Sequence, residues 1–257
     1  MLASPLLRSD EKIEKVNENI SLISKKDGLT FGTDAFLLAA YIGKAPSALA
    51  ADLGSGTGIL PLLLLARDKV RCAVAVEVQE AFGELIARNA SLNQMEDRIK
   101  VLRCDLRSLP SDALPAESAD IVLSNPPYMK AQSGKPNASE AKFIARHEIC
   151  GDIGDFCHTA SALLKYGGKF YCVYRPDRLI DLFDAMRKNS LEPKRMTLVH
   201  ATAASAPSIA LIEAKKGAAP SLILTRPLFL TNEDKITQTR DAKRIYETCS
   251  FEDFFGN

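Results

Sequence analysis

The fold of this 257-residue chain is decided by one stretch, Ala48-Leu49-Ala50-Ala51-Asp52-Leu53-Gly54-Ser55-Gly56-Thr57-Gly58, and by the apolar run that follows it, Ile59 to Arg67. The first six residues have the length and composition of a buried strand, the glycines predict a tight turn, and the apolar run predicts a helix. Strand, glycine-rich turn and helix open a nucleotide-binding βαβ unit, because glycines let the backbone approach a ligand closely. The spacing is G-x-G-x-G rather than the G-x-G-x-x-G of a pyrophosphate binder, which favours an adenosine ligand without phosphates.

Acidic side chains follow the next two predicted strands. Cys72 to Val76 is followed by Glu77, about 20 residues past the glycines, where a carboxylate accepts hydrogen bonds from both hydroxyls of a ribose. Ile99 to Arg103 leads to Asp105, whose carboxylate can accept from the amino group of an adenine. Because parallel strands bring their carboxyl ends to one edge of a sheet, these side chains and Asp52 are expected along a single rim.

A fourth predicted strand, Ala119 to Leu123, ends at Ser124-Asn125-Pro126-Pro127-Tyr128. The two prolines lack an N–H and have a fixed φ. The carbonyls of Asn125 and Pro126 are therefore not taken up in the hydrogen bonds of a helix or a sheet. An amide oxygen beside a backbone carbonyl is a pair of acceptors suited to an exocyclic –NH₂, and the Tyr128 ring suits the face of a planar base. A tight turn with Tyr128 merely packed is the alternative.

Composition restricts the class of protein. The formal charge of +1 provides no global field to recruit nucleic acid, so such a partner must be held by local patches. The six cysteines form no C-x-x-C pair, so we expect reduced thiols and no metal site. The longest apolar run, Ile59 to Ala66, is far too short to cross a bilayer, and because the N-terminal residues contain no apolar h-region we expect no secretory leader. We therefore expect a cytoplasmic protein with no membrane partner. Separately, we expect it to act as a monomer.

The domain boundaries predicted are an N-terminal extension over 1–32, a main domain over 33–230, and a C-terminal helix and tail over 231–257. In the extension, Glu11 to Lys15 is interpreted as a loose lead-in, and Ile20 to Ser24 is predicted to form a hairpin with Leu29 to Phe31 around an Asp-Gly turn. Thr33 is the predicted N-cap of the first helix, with a ligand role as the alternative.

Taken together, these motifs resemble those of the class I methyltransferases that act on amino nitrogens. The flanking segments Gly28 to Ala39 and Tyr174 to Leu179 narrow the resemblance to the bacterial tRNA(Val) adenine-N6 methyltransferases, over about Ile20 to Tyr246. The resemblance implies a Rossmann-like α/β fold with a doubly wound, mostly parallel seven-stranded sheet and an antiparallel last strand. It also implies S-adenosylmethionine as cofactor and tRNA as substrate, methylated on the adenine next to the anticodon.

The resemblance assigns roles to individual residues. Asn125, Pro126 and Tyr128 are the expected catalytic residues: the first two accept the N–H hydrogens of the attacking amino group, and the third stacks on the base. The residues expected to bind the cofactor lie in the first helix, the glycine loop and the strand ends: Thr33, Asp34, Asp52, Gly54, Ser55, Gly56, Gly58, Glu77, Asp105, Leu106 and Asn125.

Two regions outside these motifs suggest RNA contacts. The polar segment Met129 to Glu148 has the length of a lid or binding loop. From Lys165 to Arg226 there are eleven Lys and Arg against five Asp and Glu, an excess that suits phosphate tracking, although a solvated surface is the alternative. Two other functions stay open: methylation of a protein glutamine side chain at N5, and a non-catalytic RNA-binding module on the same fold.

Overall fold

The computed structural model describes residues 7–26, 32–126 and 151–255, and its centre is a nine-stranded sheet. The sheet strands are β3 (Leu49–Leu53), β4 (Cys72–Glu77), β5 (Ile99–Arg103), β6 (Ala119–Ser124), β7 (Leu164–Tyr174), β8 (Leu191–His200), β9 (Pro207–Lys216), β10 (Ile223–Leu224) and β11 (Leu228–Phe229). Their order is β10-β8-β9-β7-β6-β3-β4-β5, with β11 also paired to β8. β9 runs antiparallel to β7 and β8, and the other pairings in this sheet are parallel. The predicted α/β fold with its seven-stranded, mostly parallel sheet is therefore confirmed, and two-residue strands extend the edge.

Helices cover both faces of this sheet. They are α1 (Thr33–Tyr41), α2 (Ile59–Ala66), α3 (Glu80–Leu92), α4 (Ile153–Leu163), α5 (Leu179–Lys188), α6 (Arg240–Thr248) and α7 (Glu252–Phe255). Side chains alternate along each strand, so that Ala50 packs in one apolar cluster with α1 and α2, while its neighbour Ala51 packs with α4 and α5 on the other face. Burial on both faces explains why the central strands read as continuous apolar runs.

The N-terminal segment forms a hairpin that the sequence does not predict. Glu11–Lys15 is a strand, β1, and it pairs antiparallel with β2 (Ser21–Lys25) through a turn at residues 16–20. The interpretation of Glu11–Lys15 as a loose lead-in was wrong, because tertiary contacts stabilise this charged strand: Glu11 is buried and accepts two hydrogen bonds from Arg88 of α3. The Arg88 guanidinium lowers the pKa of Glu11 to about 2. Leu29–Phe31, the predicted partner, lies outside the described residues.

Helix α1 begins at Thr33, and its N-cap is Gly32, so the prediction of Thr33 as N-cap was wrong. Near this end of the helix, the ring of Phe36 packs against the ring of Tyr246 of α6, with the centroids 5.0 Å apart. At the other end of the helix, Lys69 is buried and donates to the carbonyls of Ala39, Ala40 and Ile42 at 2.8, 3.0 and 2.5 Å. The helix is thus anchored at both ends, which holds its first turn in a fixed place beside the sheet.

Strand β7 begins earlier than predicted. The sequence predicts a helix over Asp155 to Lys165 that stops at Gly167-Gly168, but α4 ends at Leu163 and β7 already includes both glycines. Gly168 is required by space, because a Cβ there would lie 2.9 Å from the carbonyl oxygen of Lys165 and 3.1 Å from that of Asp120. The glycines therefore allow a close backbone approach within the sheet and do not stop the helix.

Candidate active site

The predicted rim exists at the carboxyl ends of four adjacent strands. From the edge inward these strands are β5, β4, β3 and β6. At their carboxyl ends, in the same order, lie Asp105, Glu77, Gly54 and Asn125. Neighbouring strands lie about 4.8 Å apart, so the ends of β4 and β6 are separated by roughly 10 Å across the glycine loop. Ser124 Oγ donates to the carbonyl of Leu53 at 2.8 Å and fixes the end of β6 against β3.

The glycine loop is held by backbone contacts that only its conformation allows. Gly54, Gly56 and Gly58 have φ of +74°, +57° and +81°, in the left-handed region that disfavours other residues. The N–H groups of Gly54 and Ser55 both donate to the carbonyl of Val76, at 3.0 Å. No described atom lies within 4 Å of where a Cβ on Gly56 would stand, so the loop presents open space at its middle glycine.

Asp52 is a buried carboxyl beneath this loop. Its Oδ2 accepts from Ser55 Oγ at 2.6 Å, and its Oδ1 has no hydrogen-bond partner among the described residues. Burial raises the pKa of Asp52 to about 7, the Ser55 hydroxyl opposes the rise, and the charge of Glu77 adds to it. An unpaired buried oxygen costs stability, so a group that the site is built to receive is its natural explanation.

Glu77 is 5 % exposed and is oriented by two backbone donors. Oε2 accepts from the N–H of Gly56 at 2.8 Å, and Oε1 accepts from that of Gln79 at 2.9 Å. Burial raises the pKa of Glu77, against these hydrogen bonds. Each carboxylate oxygen has more than one lone pair, so both can still accept from the hydroxyls of a ribose.

Asp105 is paired within its own loop. Its carboxylate accepts from the N–H of Arg107 and forms an ion pair with the guanidinium at 2.5 Å, which lowers the pKa of Asp105. Leu106 is 7 % exposed and packs in the core, while its carbonyl accepts from Thr159 Oγ1. A role for either residue in cofactor binding stays a prediction.

The end of β6 contacts the first turn of α1. Asn125 Nδ2 donates to Asp34 Oδ2 at 3.1 Å, and Asp34 Oδ1 accepts from the N–H of Ala35 at 2.9 Å. Asn125 is half-buried and Pro126 is buried. Of the three predicted catalytic residues, Tyr128 lies outside the described residues, as does the segment Met129 to Glu148.

The basic excess between Lys165 and Arg226 is divided between the two ends of the sheet, and only Arg175 and Arg178, which follow the carboxyl end of β7, lie on the side of the rim. Lys169, Lys194, Lys215 and Lys216 lie toward the amino-terminal end of β7 and the strands paired with it, which is the opposite end of the sheet. Arg195 forms an ion pair with Glu213 and stacks 4.0 Å from the ring centroid of Phe255. Lys169 and Lys216 also pair with carboxylates, and so do the six remaining basic side chains: Lys165, Arg175, Arg178, Arg187, Lys188 and Arg226. This placement favours the solvated-surface alternative over phosphate tracking by these lysines.

The structure also identifies a supporting residue that sequence reasoning missed. Asn89, in the middle of α3, is fully buried and its amide nitrogen donates to the carbonyls of Ile23 and Thr57 at 3.2 and 2.9 Å, while its oxygen accepts from the N–H of Ile23. It therefore ties β2 to the glycine loop. A buried asparagine within an otherwise apolar helix face is the only signal that could have indicated this role.

Among the described residues, no group of three or more His, Cys, Asp or Glu side chains is arranged to hold a metal ion. No described helix is both long and apolar enough to span a bilayer.

Comparison with known proteins places these features in a family. Residues 23–188 match the methyltransferase small domain family. A relative from Pedobacter heparinus is named tRNA1(Val) (adenine(37)-N6)-methyltransferase and is 31% identical over 145 residues, which cover 56% of this chain and 59% of the relative. A relative of the same name from Phocaeicola vulgatus is 28% identical over 184 residues, covering 72% of this chain and 76% of the relative. The chain thus spans about three fifths of the length of the first curated relatives it matches.

A solved structure shares the fold. A protein from Agrobacterium tumefaciens, described as a predicted O-methyltransferase, superposes with a TM-score of 0.70 at 23% identity, covering 85% of this chain and 97% of that one. At this identity the likeness concerns the fold alone. The family match confirms the methyltransferase resemblance predicted from the glycine loop and the strand ends, and this chain belongs to the methyltransferase small domain family.

Proposed function

We propose that this protein transfers a methyl group from S-adenosylmethionine to the N6 amino nitrogen of an adenine in tRNA, next to the anticodon of tRNA(Val). The observation that carries the proposal is the position of Asn125, held at the end of β6 one strand away from the glycine loop, with its amide nitrogen bound to Asp34. The choice of tRNA is supported by the printed names of the relatives. With such a substrate the protein acts in the cytoplasm, and we expect it to act as a monomer.

The residues around the glycine loop fit S-adenosylmethionine. Glu77 suits the ribose hydroxyls, because its two oxygens are aimed by backbone donors and retain lone pairs. The open space at Gly56 admits a ligand against the backbone. The unpaired Oδ1 of Asp52 supplies a buried hydrogen-bond acceptor beside the glycine loop. When bound, S-adenosylmethionine supplies a methyl group made electrophilic by a sulfonium.

Asn125 and Pro126 orient the nucleophile. The lone pair of an adenine amino group is delocalised into the ring, so the nitrogen is a poor nucleophile until it is drawn toward tetrahedral geometry. The amide oxygen of Asn125 and the carbonyl of Pro126 accept its two N–H hydrogens, and positive charge that develops on the nitrogen strengthens both hydrogen bonds. As the bond between the nitrogen and the methyl carbon forms and the bond between that carbon and the sulfonium sulfur breaks, the nitrogen would release one of its two protons to water. A base stacked in an RNA loop must be turned outward to reach this rim.

The experiment that tests the proposal uses purified protein and labelled S-adenosylmethionine, incubated separately with bulk tRNA and with total protein. We expect label in the tRNA, recovered as N6-methyladenosine after digestion. Label in the protein fraction, recovered as N5-methylglutamine, would overturn the choice of tRNA. Label in neither fraction would overturn catalysis and favour an RNA-binding module.

The variant Asn125→Ala separates catalysis from binding. Loss of one transition-state contact typically costs about 10²- to 10³-fold in kcat, while cofactor and tRNA still bind. Asn125→Asp keeps an acceptor of the same size and should retain partial activity. The turn interpretation predicts otherwise, since both variants would then lower the melting temperature, binding and rate together.

A further inference from the structure

The hydrogen bond between Asn125 and Asp34 joins two parts of the chain that are 91 residues apart in sequence. The family resemblance implies a role for Asp34 in cofactor binding, and the structure places its carboxylate against the amide of Asn125, the residue proposed to face the substrate. This contact assigns a different task to Asp34. The inference rests on the proposed function and concerns how the acceptor of the amino group acquires its orientation.

An asparagine side chain is nearly symmetric in shape, so packing alone cannot determine which end is the oxygen. Rotation by half a turn about χ2 exchanges a donor for an acceptor at almost the same place. This difference decides whether Asn125 can bind the substrate, because an Asn125 NH₂ facing the amino group of the substrate would place two donors against each other. Some neighbour must therefore select one of the two orientations.

Asp34 supplies that selection. An ionised carboxylate accepts hydrogen bonds and cannot donate them, so the Asn125 atom 3.1 Å from Asp34 Oδ2 must be the NH₂ nitrogen. The planar amide then turns its oxygen away from Asp34. We propose that Asp34 is a positioning residue that sets the amide orientation of Asn125, so that the oxygen is presented to the substrate amino group.

The first turn of α1 holds Asp34 for this task. Its other oxygen, Oδ1, accepts from the N–H of Ala35 at 2.9 Å, and negative charge is favoured at a helix N-terminus. Lys69 anchors the far end of the same helix. The carboxylate is therefore fixed by the fold before any ligand arrives.

Gly32 provides a second, independent observation. A Cβ built on Gly32 would overlap Asp34 Oδ1. The φ of Gly32 is −97°, which any residue can adopt, so a side chain at this position conflicts with the present place of the carboxylate and not with the backbone. Gly32→Ala is thus expected to displace the Asp34 carboxylate without straining the chain.

The test begins with Asp34→Asn, which keeps the size and the acceptor for Ala35 but places an NH₂ opposite the NH₂ of Asn125. We expect the single-turnover methylation rate on tRNA to fall roughly 10- to 100-fold, the range for loss of a hydrogen bond to a charged group. Cofactor Kd and melting temperature should stay close to those of the parent. Gly32→Ala should lower the rate in the same direction. Glu80→Gln is the matched control, because Glu80 is an exposed first-turn acid of α3 and should leave the rate unchanged.

Exchanging the two side chains gives a measurement that would not change if Asp34 had only a structural role. In Asn125→Asp two carboxylates face each other, whereas the double variant Asp34→Asn/Asn125→Asp restores one donor and one acceptor. We expect the double variant to methylate tRNA faster than Asn125→Asp alone, a coupling that the two single variants cannot show. Equal or lower activity in the double variant overturns the proposal.

The hydrogen bond is also observable without substrate. In the parent, NMR hydrogen exchange should show the side-chain amide protons of Asn125 protected, and Asp34→Asn should remove the protection. If protection is the same in both proteins, or if Asp34→Asn loses cofactor affinity in proportion to its rate, Asp34 does not position Asn125. A parent that fails to methylate tRNA while its amide protection depends on Asp34 refutes the proposed function and leaves the hydrogen bond established.

Discussion

Replacement of Asp52 by asparagine should raise the free energy of unfolding at alkaline pH, and the gain should be smaller at acidic pH. Burial raises the pKa of Asp52 from its ordinary value of 3.8 to about 7. Between these two values the folded state holds a proton that the unfolded state has lost, so stability falls as the pH rises from 3.8 to 7. Above pH 7 the buried charge costs up to about 4 kcal/mol. The amide introduced by Asp52→Asn carries no charge at any of these pH values and can still accept from the Ser55 hydroxyl.

The measurement is a thermal and urea unfolding series on the parent and Asp52→Asn at about pH 5 and about pH 8, on either side of the raised pKa. At the higher pH we expect Asp52→Asn to be more stable by up to about 4 kcal/mol, or roughly 10 °C in Tm for a chain of this size. At the lower pH most of the parent carboxyl is protonated, so the gain should shrink to less than half. Calorimetry should show weaker S-adenosylmethionine binding in the variant, because stability gained at a functional site commonly comes with lost function.

Asp120→Asn is the control with the opposite sign. Burial acts to raise the pKa of Asp120, but hydrogen bonds from the Lys165 ammonium and the Leu49 N–H together hold it below its ordinary value. This variant should lower the Tm by a similar amount at both pH values, because the lowered pKa keeps Asp120 ionised at each, and the loss should diminish only as the pH falls below 3.8. A gain in Asp52→Asn that is equal at both pH values, or a loss at the higher one, would refute a buried charge as the cause.

Three further outcomes are expected. Glu77→Gln should weaken S-adenosylmethionine binding by roughly 1.5 to 3 kcal/mol, because a charge-assisted contact to the ribose is lost. Calorimetry measures this loss, with NAD as the control ligand that should not bind. Lys69→Met should lower the free energy of unfolding by about 3 kcal/mol, since three backbone carbonyls at the end of α1 lose a buried donor, and the urea midpoint would reveal it. Lys194→Glu combined with Lys215→Glu should leave the KM for tRNA unchanged, because both lysines lie away from the active-site rim; a rise in KM at constant cofactor affinity would restore the phosphate-tracking hypothesis.

The fold and the chemical class followed from local patterns in the sequence. A buried strand, a glycine turn and a helix in direct succession determine a βαβ unit, because each is a short-range choice of backbone conformation. The side chains that follow each strand could also be placed, since parallel strands bring their carboxyl ends to one edge. Asp52, Glu77, Asp105 and Asn125 lie on that rim because strand order and direction constrain them strongly.

Only the tertiary structure decided what each of these side chains contacts. The pairing of Glu11–Lys15 with β2 depends on Arg88 of a later helix, and no local pattern in that charged stretch favours a strand. The burial of Asp52 also depends on elements distant in sequence. The orientation of Asn125 follows from Asp34, 91 residues earlier, and a hydrogen bond between side chains so far apart leaves no periodic signal in either segment. Local conformational preference determined most of the elements, and the long-range packing of polar groups determined the strand Glu11–Lys15 and the contacts at the strand ends.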